Sequence, residues 1–472
     1  MPLPDIRTRV TLSPRKSGDD TLRIQEALDK VGKKSLDRKS TRGAVLLKAG
    51  TYRVSKTLRI NQSGVVLRGE DQQEGGTVIL ATGTKKRTLI DVRGDKSGGN
   101  EIKDSRRSIN QKRVAVGART LTLESTRELS RGDAIVVFRP GTADWIRALG
   151  TDRLNRGADD DVKNWQPKEY SFGSERTIVS LRGKEITIDA PIVFAIERKF
   201  GGGYVYKRSK DLRVRNVGVE RLRLVSEYKR GKHESDESHA WDGIKISNAT
   251  DSWIRNVTAV HFGYSCVNIL KTGKQITVQD CACIDPVSKI SGGRRYSFAL
   301  DGQLCLVQRC YTRRGRHDYV LQARARGPNV FLDCVADKAY NDSGPHHRWA
   351  VGTLYDNIKC GRLNVQWRGR SGTGHGWAGA NMVFWNCRTS STDCQKPPTA
   401  NNYCIGCTGK IQGSGHTESR GVPVTPRSLY LRQLEARLGA SAVDRVTTPA
   451  QRNGTMDQTL RQQLKPEKDT LY

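Results

Sequence analysis

An irregular repeat constrains this chain more than any other feature of its sequence. Short segments ending on a small or apolar residue recur through the second half: Glu220-Arg221-Leu222, Arg255-Asn256-Val257, Gln279-Asp280-Cys281, Gln308-Arg309-Cys310, Leu332-Asp333-Cys334, Asp356-Asn357-Ile358, Trp385-Asn386-Cys387 and Ile405-Gly406-Cys407. Successive anchors lie 20 to 35 residues apart. One coil of a parallel β-helix, three short strands and their turns, has this length; leucine-rich repeats share the range but need an LxxLxL pattern that is absent. The repeat therefore predicts an all-β fold, a right-handed parallel β-helix. Each anchor is then an inward rung, with Cys281, Cys310, Cys334, Cys387 and Cys407 stacked on neighbours about 4.8 Å away in the next coil. Zinc would need two close ligand pairs, and only Cys404-Cys407 is spaced as CxxC. A disulfide stays open at one place, the loop-rich stretch where Cys394 lies near Cys404 and Cys407.

Composition agrees with a coil of this kind. The chain has 472 residues with 36% hydrophobic and 6% aromatic residues and 47 Gly, which suits small and β-branched interiors joined by many tight turns. A solenoid grows by adding coils, so this length forces no second core. Lys and Arg total 81 against 49 Asp and Glu, a formal charge of +32, beyond what solubility needs. That excess predicts a polyanionic partner. The basic residues are scattered, with no RNP, helix-turn-helix or finger pattern, so an anionic polysaccharide is favoured over nucleic acid. No run approaches the roughly 18 apolar residues of a membrane span, so no membrane partner is expected. The opening MPLPDIRTRV lacks an apolar h-region, so a secreted or periplasmic location implies a signal peptide already removed.

At the N-terminus, Asp19-Asp20-Thr21 can cap a helix with an apolar face of Leu22, Ile24, Ala27, Leu28 and Val31. A helix here would plug the open end of the coil and protect its first edge strand. The segment DDTLRIQEALDKV followed by GAVLLKAGTYRVSKTLRINQSGVVLRGE resembles the opening of the pectate-lyase-like superfamily of right-handed parallel β-helix proteins. The resemblance covers residues 17 to 95 and, more loosely, 210 to 410. It implies a carbohydrate-active enzyme of the polysaccharide lyase or glycoside hydrolase type.

Four regions follow: a cap with the first coils over 1–111, an inserted antiparallel β-subdomain over 112–200, the main coils over 201–420, and a C-terminal helix with a mobile tail over 421–472. In the insertion, Trp145, Trp165 and Tyr170 are either sugar platforms or packing residues.

Of eight His, four fall between His317 and His375, on consecutive coils. Superposed coils would align His317, His346, His347 and His375 in one column, with Arg294, Arg295 and Tyr296 in the coil before. GRHDYV adds Arg316 and Tyr319; GPHHRWAVGTLYDN adds Arg348 and Trp349; GTGHGWAGAN adds Trp377 and sets His375 between glycines, for close ligand approach or a tight turn. Cleavage of a uronate by β-elimination needs a cation for the carboxylate, a base for the proton beside it and an acid for the leaving oxygen. Arg, His and Tyr supply these. The expected catalytic set is His317, Tyr319, His346, His347, Arg348 and His375, with Arg294, Arg295, Tyr296, Arg316, Trp349, Trp377, Trp145 and Trp165 binding substrate.

Two alternatives stand beside this lyase. A glycoside hydrolase on an anionic or sulfated polymer would use two carboxylates, with Asp301, Asp318, Asp342 and Asp356 as candidates. A non-catalytic carbohydrate-binding solenoid would use none. WDGIKIS, FGYSCVNI and GTGHGW superficially resemble polygalacturonase motifs. Asp242 matches the first, but Tyr264-Ser265 stand where that family has paired Asp. No paired acidic segment like the calcium site of pectate lyases is present, which leaves a calcium requirement open.

Overall fold

A computed structural model describes residues 4–95, 99–157 and 160–464. The chain is mostly β. Its strands pair in parallel, coil upon coil, as in Thr277 with Leu306 and Leu306 with Val330 on one face, and Ala282 with Tyr311 and Tyr311 with Val335 on the next. This is the parallel β-helix expected from the repeat, its interior one continuous core running from Val45 to Cys407.

Backbone geometry explains the repeat. Arg221, Asn256, Asp280, Arg309, Asp333, Asn357, Asn386 and Gly406 all have φ between +50° and +67°. Each turns the chain from the first face to the second, and Asn, Asp and Gly tolerate that region best. The next residue in each case is the anchor, from Leu222 to Cys407, pointing inward and fully buried. All eleven cysteines are free and buried. Cys394 therefore forms no disulfide with Cys404 or Cys407, since all three are interior side chains.

A separate seven-stranded parallel sheet forms the third face, from Leu58–Ile60 through Arg87–Arg93, Ala240–Ser247, Ser265–Ile269, Phe298–Leu300 and Tyr319–Leu321 to Gly344–Pro345. The capping helix spans Thr21–Gly32 and buries Ile24, Ala27, Leu28 and Val31 on the first coils. Leu22, expected on that face, is 70% exposed, because it lies off the stripe at the first turn.

Antiparallel strands between Arg107 and Lys207 form the inserted subdomain, so pairing extends past residues 112–200 at both ends. It has its own core, in which Trp145, Trp165, Tyr170 and Phe172 pack with Trp349, Val351 and Ala380 of the main coils. The C-terminal region corrects the expectation of a mobile tail as far as residue 464. Helices follow at Leu429–Leu438, Ala440–Asp444, Pro449–Asn453 and Met456–Leu464. Met456, Leu460 and Leu464, at helical spacing in an otherwise polar segment, cover Val260, Ala282, Ile284, Tyr311 and Val335 on the second face. Residues 465–472 lie outside the described residues.

Candidate functional site

The seven-stranded sheet builds the site by register. Lys245, Asn268, Ala299, Val320 and Gly344 are aligned on successive coils. Their neighbours Phe298, Leu300, Tyr319 and Leu321 point into the core, so this column faces outward and ends in small side chains. Trp241 stands at the start of the strand Ala240–Ser247, and Tyr264, Tyr296 and His317 come just before theirs; Asp301, Gln322 and His346 come just after. Rings from both sides close over the small residues. Tyr296 packs on Ala299 and Val320 with Tyr264 against it, and Gln322 Nε2 donates to the Tyr264 hydroxyl at 2.8 Å.

The result is a continuous chain of rings. Centroid separations are 5.2 Å for Tyr264–Tyr296, 5.1 Å for Tyr296–His317, 4.3 Å for His317–His346, 5.4 Å for His346–His375 and 4.9 Å for His347–His375. All four predicted imidazoles converge, and Tyr296 joins them.

Hydrogen bonds indicate where each proton sits. His317 Nδ1 lies 2.7 Å from the Asp342 carbonyl and 3.1 Å from its carboxylate, so Nδ1 carries the proton and the buried Nε2 is left without a partner. His346 Nδ1 lies 2.8 Å from an Arg368 N–H and accepts from it. The Nδ1 atoms of His347 and His375 are buried and unpartnered. Burial first, then His317 and Arg368, keeps His346 neutral far below the ordinary histidine range. His347 is pushed down to about 3 by burial, then by His375, Arg348, Arg368 and Arg324; His375 is pushed down to about 4 by burial, then Arg368 and Arg348. Burial works to raise the Asp342 carboxyl, but the His317 contact and Arg368 outweigh it and hold it low. His346, His347 and His375 are thus neutral imidazoles held among guanidinium groups.

Other expected residues do different work. Tyr319 is wholly buried, stacked on Phe298 and tilted against Phe331, with its hydroxyl 2.8 Å from the Cys310 carbonyl and 2.7 Å from that of Val335. It cannot serve as the acid, because a corner lies between His317 and the strand Tyr319–Leu321, and Tyr319 points into the core. Arg295 is also fully buried; its Nε and Nη2 donate to the carbonyls of Ser288 and His233, and its Nη1 is buried without a partner. Arg294 pairs with Glu237 at the rim. Arg316 bonds the Gly292 carbonyl beside Tyr296. Arg348 donates to Thr373 and Gly374 on the His375 loop.

Trp145, Trp165 and Trp349 are corrected from sugar platforms to packing residues, each 3% exposed or less. Trp145 meets Trp349 edge to face at 5.0 Å, and Trp165 stacks on Tyr170 at 4.1 Å while its Nε1 donates to the Gly374 carbonyl at 3.1 Å. Trp377 is half-buried and donates to the Leu149 carbonyl at 3.2 Å. These rings fasten the insertion to the loop that carries His375. The glycine after His375 answers to that contact: a Cβ at Gly376, where φ is +56°, would lie 2.5 Å from the Trp165 ring.

Asp318 and Asp356 are likewise interior. Asp318 faces Ser297, with its carboxyl pushed up to about 6 by burial; Asp356 accepts from the Ser428 hydroxyl at 2.7 Å and the Tyr430 N–H at 2.8 Å beneath the C-terminal helix. No group of three or more His, Cys, Asp or Glu among the described residues converges to hold a metal ion. Nor is any helix there long and apolar enough to cross a membrane.

No family model matches the sequence, and no curated protein matches it. Solved structures similar to this chain include the tailspike protein gp49 of Pseudomonas phage LKA1, 14% identical with a TM-score of 0.49, covering 82% of this chain and 56% of that one. Others are the tailspike of Escherichia coli bacteriophage HK620 in complex with a pentasaccharide (9%, TM-score 0.44, 87% and 64%) and an alginate lyase from Paenibacillus (8%, TM-score 0.43, 88% and 99%). The likeness is one of fold. The chain spans between half and two thirds of the length of those tailspikes.

Several site residues were not singled out from sequence. Trp241 directly precedes Asp242 in WDGIKIS, Tyr264 is legible there only as a departure from the paired Asp of FGYSCVNI, and Gln322, Arg324 and Arg368 carry no motif at all. Asp242, which was compared, is buried and accepts from Ser265 at 2.8 Å and Asn268 at 3.1 Å.

Proposed function

We propose that the protein is a polysaccharide lyase that cleaves a uronate-containing chain by β-elimination at the His317–His375 cluster. The observation that carries this reading is the pair of neutral imidazoles His347 and His375, each with a buried, unpartnered ring nitrogen, interleaved with Arg348 and Arg368. A substrate carboxylate docked on Arg348 and Arg368 would have its charge offset, which acidifies the neighbouring carbon-bound proton. The same carboxylate would counter the cations that depress His347 and His375. Their basicity would then rise when substrate is present, bringing a half-buried imidazole toward the range a general base needs. Tyr296, whose phenol stays protonated because burial raises it, is placed to return a proton to the leaving oxygen. His317, held by Asp342, orients His346 behind them.

One observation favours a hydrolase instead. The Asp301 carboxyl follows the strand before Gln322, has a buried oxygen without a partner, and is pushed up to about 7 by burial, against the pull of Arg326, Lys271 and Arg324. A protonated carboxyl there could serve as an acid.

Incubation with uronate polymers separates the two. The lyase reading expects the ultraviolet absorbance of an unsaturated product, abolished by His347→Ala with His375→Ala. New reducing ends without that absorbance, lost in Asp301→Asn, would overturn it in favour of hydrolysis.

A further inference from the structure

One groove lies away from the imidazoles. It is an open groove of about 810 Å³ between the capping helix and the first coils, and Lys56, Arg59, Lys85, Lys86 and Arg87 line it against one acidic group, Asp29. Lys56, Arg59 and Lys85 are exposed and form no ion pair among the described residues. Nothing in the proposed cleavage uses these cations.

Register joins the groove to the site. Arg59 is aligned with Asp91, Asp91 with Lys245, and Lys245 with Asn268, Ala299, Val320 and Gly344, so groove and imidazoles lie on one face of one sheet. The six steps from Arg59 to Gly344, at about 4.8 Å each, span roughly 29 Å. Along the adjacent edge, Lys86 Nζ sits 4.2 Å over the half-buried Trp241 ring and 3.0 Å from Glu237, which also holds Arg294. After Trp241 come Tyr264, Tyr296 and His317. Cations and rings therefore recur along one edge of the sheet, on successive coils between the cap and the cluster.

We infer that this basic groove is a distal binding site for the same anionic glycan, so that one extended chain lies along the coils with its far end on Lys56, Arg59 and Lys85. The proposal rests on the glycan reading of the imidazole site, which it extends. A glycan is favoured over a nucleic acid because no aromatic side chain among the described residues lines the groove on which a splayed base could stack. Rigid sheet residues spaced by coil instead match a linear polymer bearing regularly spaced carboxylates.

Binding is measured without turnover, which keeps this proposal separate from the lyase reading. Full-length polygalacturonate and alginate are compared with their trisaccharide fragments, for the wild-type protein, for Lys56→Ala/Arg59→Ala/Lys85→Ala, and for Lys410→Ala/Arg420→Ala/Arg437→Ala, which removes equal charge from exposed positions elsewhere. Thermal melting confirms that each variant is folded. With each exposed charge contact contributing a modest increment, the groove variant should lose about ten-fold in affinity for the long chain relative to the trisaccharide. The distant variant should keep the wild-type ratio. An unchanged ratio in the groove variant, an equal loss in both variants, or tighter binding of duplex DNA than of either polymer would overturn the proposal. Absence of an unsaturated product alongside the expected loss would refute only the lyase chemistry.

Discussion

Arg368→Gln tests the electrostatics on which the proposed chemistry depends. In the wild-type protein an Arg368 N–H lies 2.8 Å from His346 Nδ1, so protonating His346 would break that bond and bring two cations together. Two unit charges about 4 Å apart at an effective dielectric of about 20 interact by about 4 kcal/mol. Arg368 is partly open to water, which reduces this to about 2 kcal/mol, or about 1.5 pH units on His346. His375, held at about 4 by burial and then by Arg368, should move the same way by less. The assay is an NMR titration of imidazole carbons in both proteins. It should show no titration of His346, His347 or His375 near the ordinary value of about 6.5 in the wild type, and upward shifts in the variant. Stability carries the same sign. Below pH of about 6.5 the unfolded chain binds protons that the folded imidazoles refuse, so the wild type should lose stability from there down to about pH 3, and the variant should lose less. Any of the three imidazoles titrating near 6.5 in the wild type, or an unmoved His346 in the variant, would refute the reasoning.

Other outcomes follow from the same geometry. Tyr319→Phe removes one buried hydroxyl and should lower stability by about 1 kcal/mol in denaturant titration while leaving turnover intact. Trp349→Ala empties the contact between insertion and coils, costing about 3–5 kcal/mol, and should raise proteolytic sensitivity of the insertion before that of the solenoid. Asp356→Ala removes the acceptor of Ser428 and Tyr430 and should expose residues beyond 420 to limited proteolysis. Because kcat/KM reports groups of the free enzyme, it should stay level from about pH 8 down to about pH 5, with no inflection at the ordinary histidine value.

The coil and the imidazole column were both legible in the sequence for one reason. A parallel β-helix superposes residues at a spacing that repeats, so anchors such as Cys310 and Cys334 and rings such as His317 and His346 report their neighbours by position alone. Which way a side chain turned was not legible. Tyr319 and His317 are two residues apart, yet a corner separates them, and one lies in the core while the other lies in the site. Burial of Trp145, Trp165 and Trp349 depended on where the insertion docks, and nothing local to those tryptophans encodes a contact with residues some two hundred positions away. The docked helix at Met456–Leu464 was hidden for the same reason: its three apolar residues matter because the second face offers Tyr311 and Val335 uncovered.

By itself, then, the sequence determined the coil, its inward thiols, its excess positive charge and the presence of four histidines on consecutive turns, since each is set by chemistry repeating at short range. Only the tertiary structure decided which cations stand free and which are spent, and that Lys56, Arg59 and the imidazoles share one face. Those facts depend on contacts between segments far apart in the chain, and on the burial and electrostatic fields that exist only once those segments are packed.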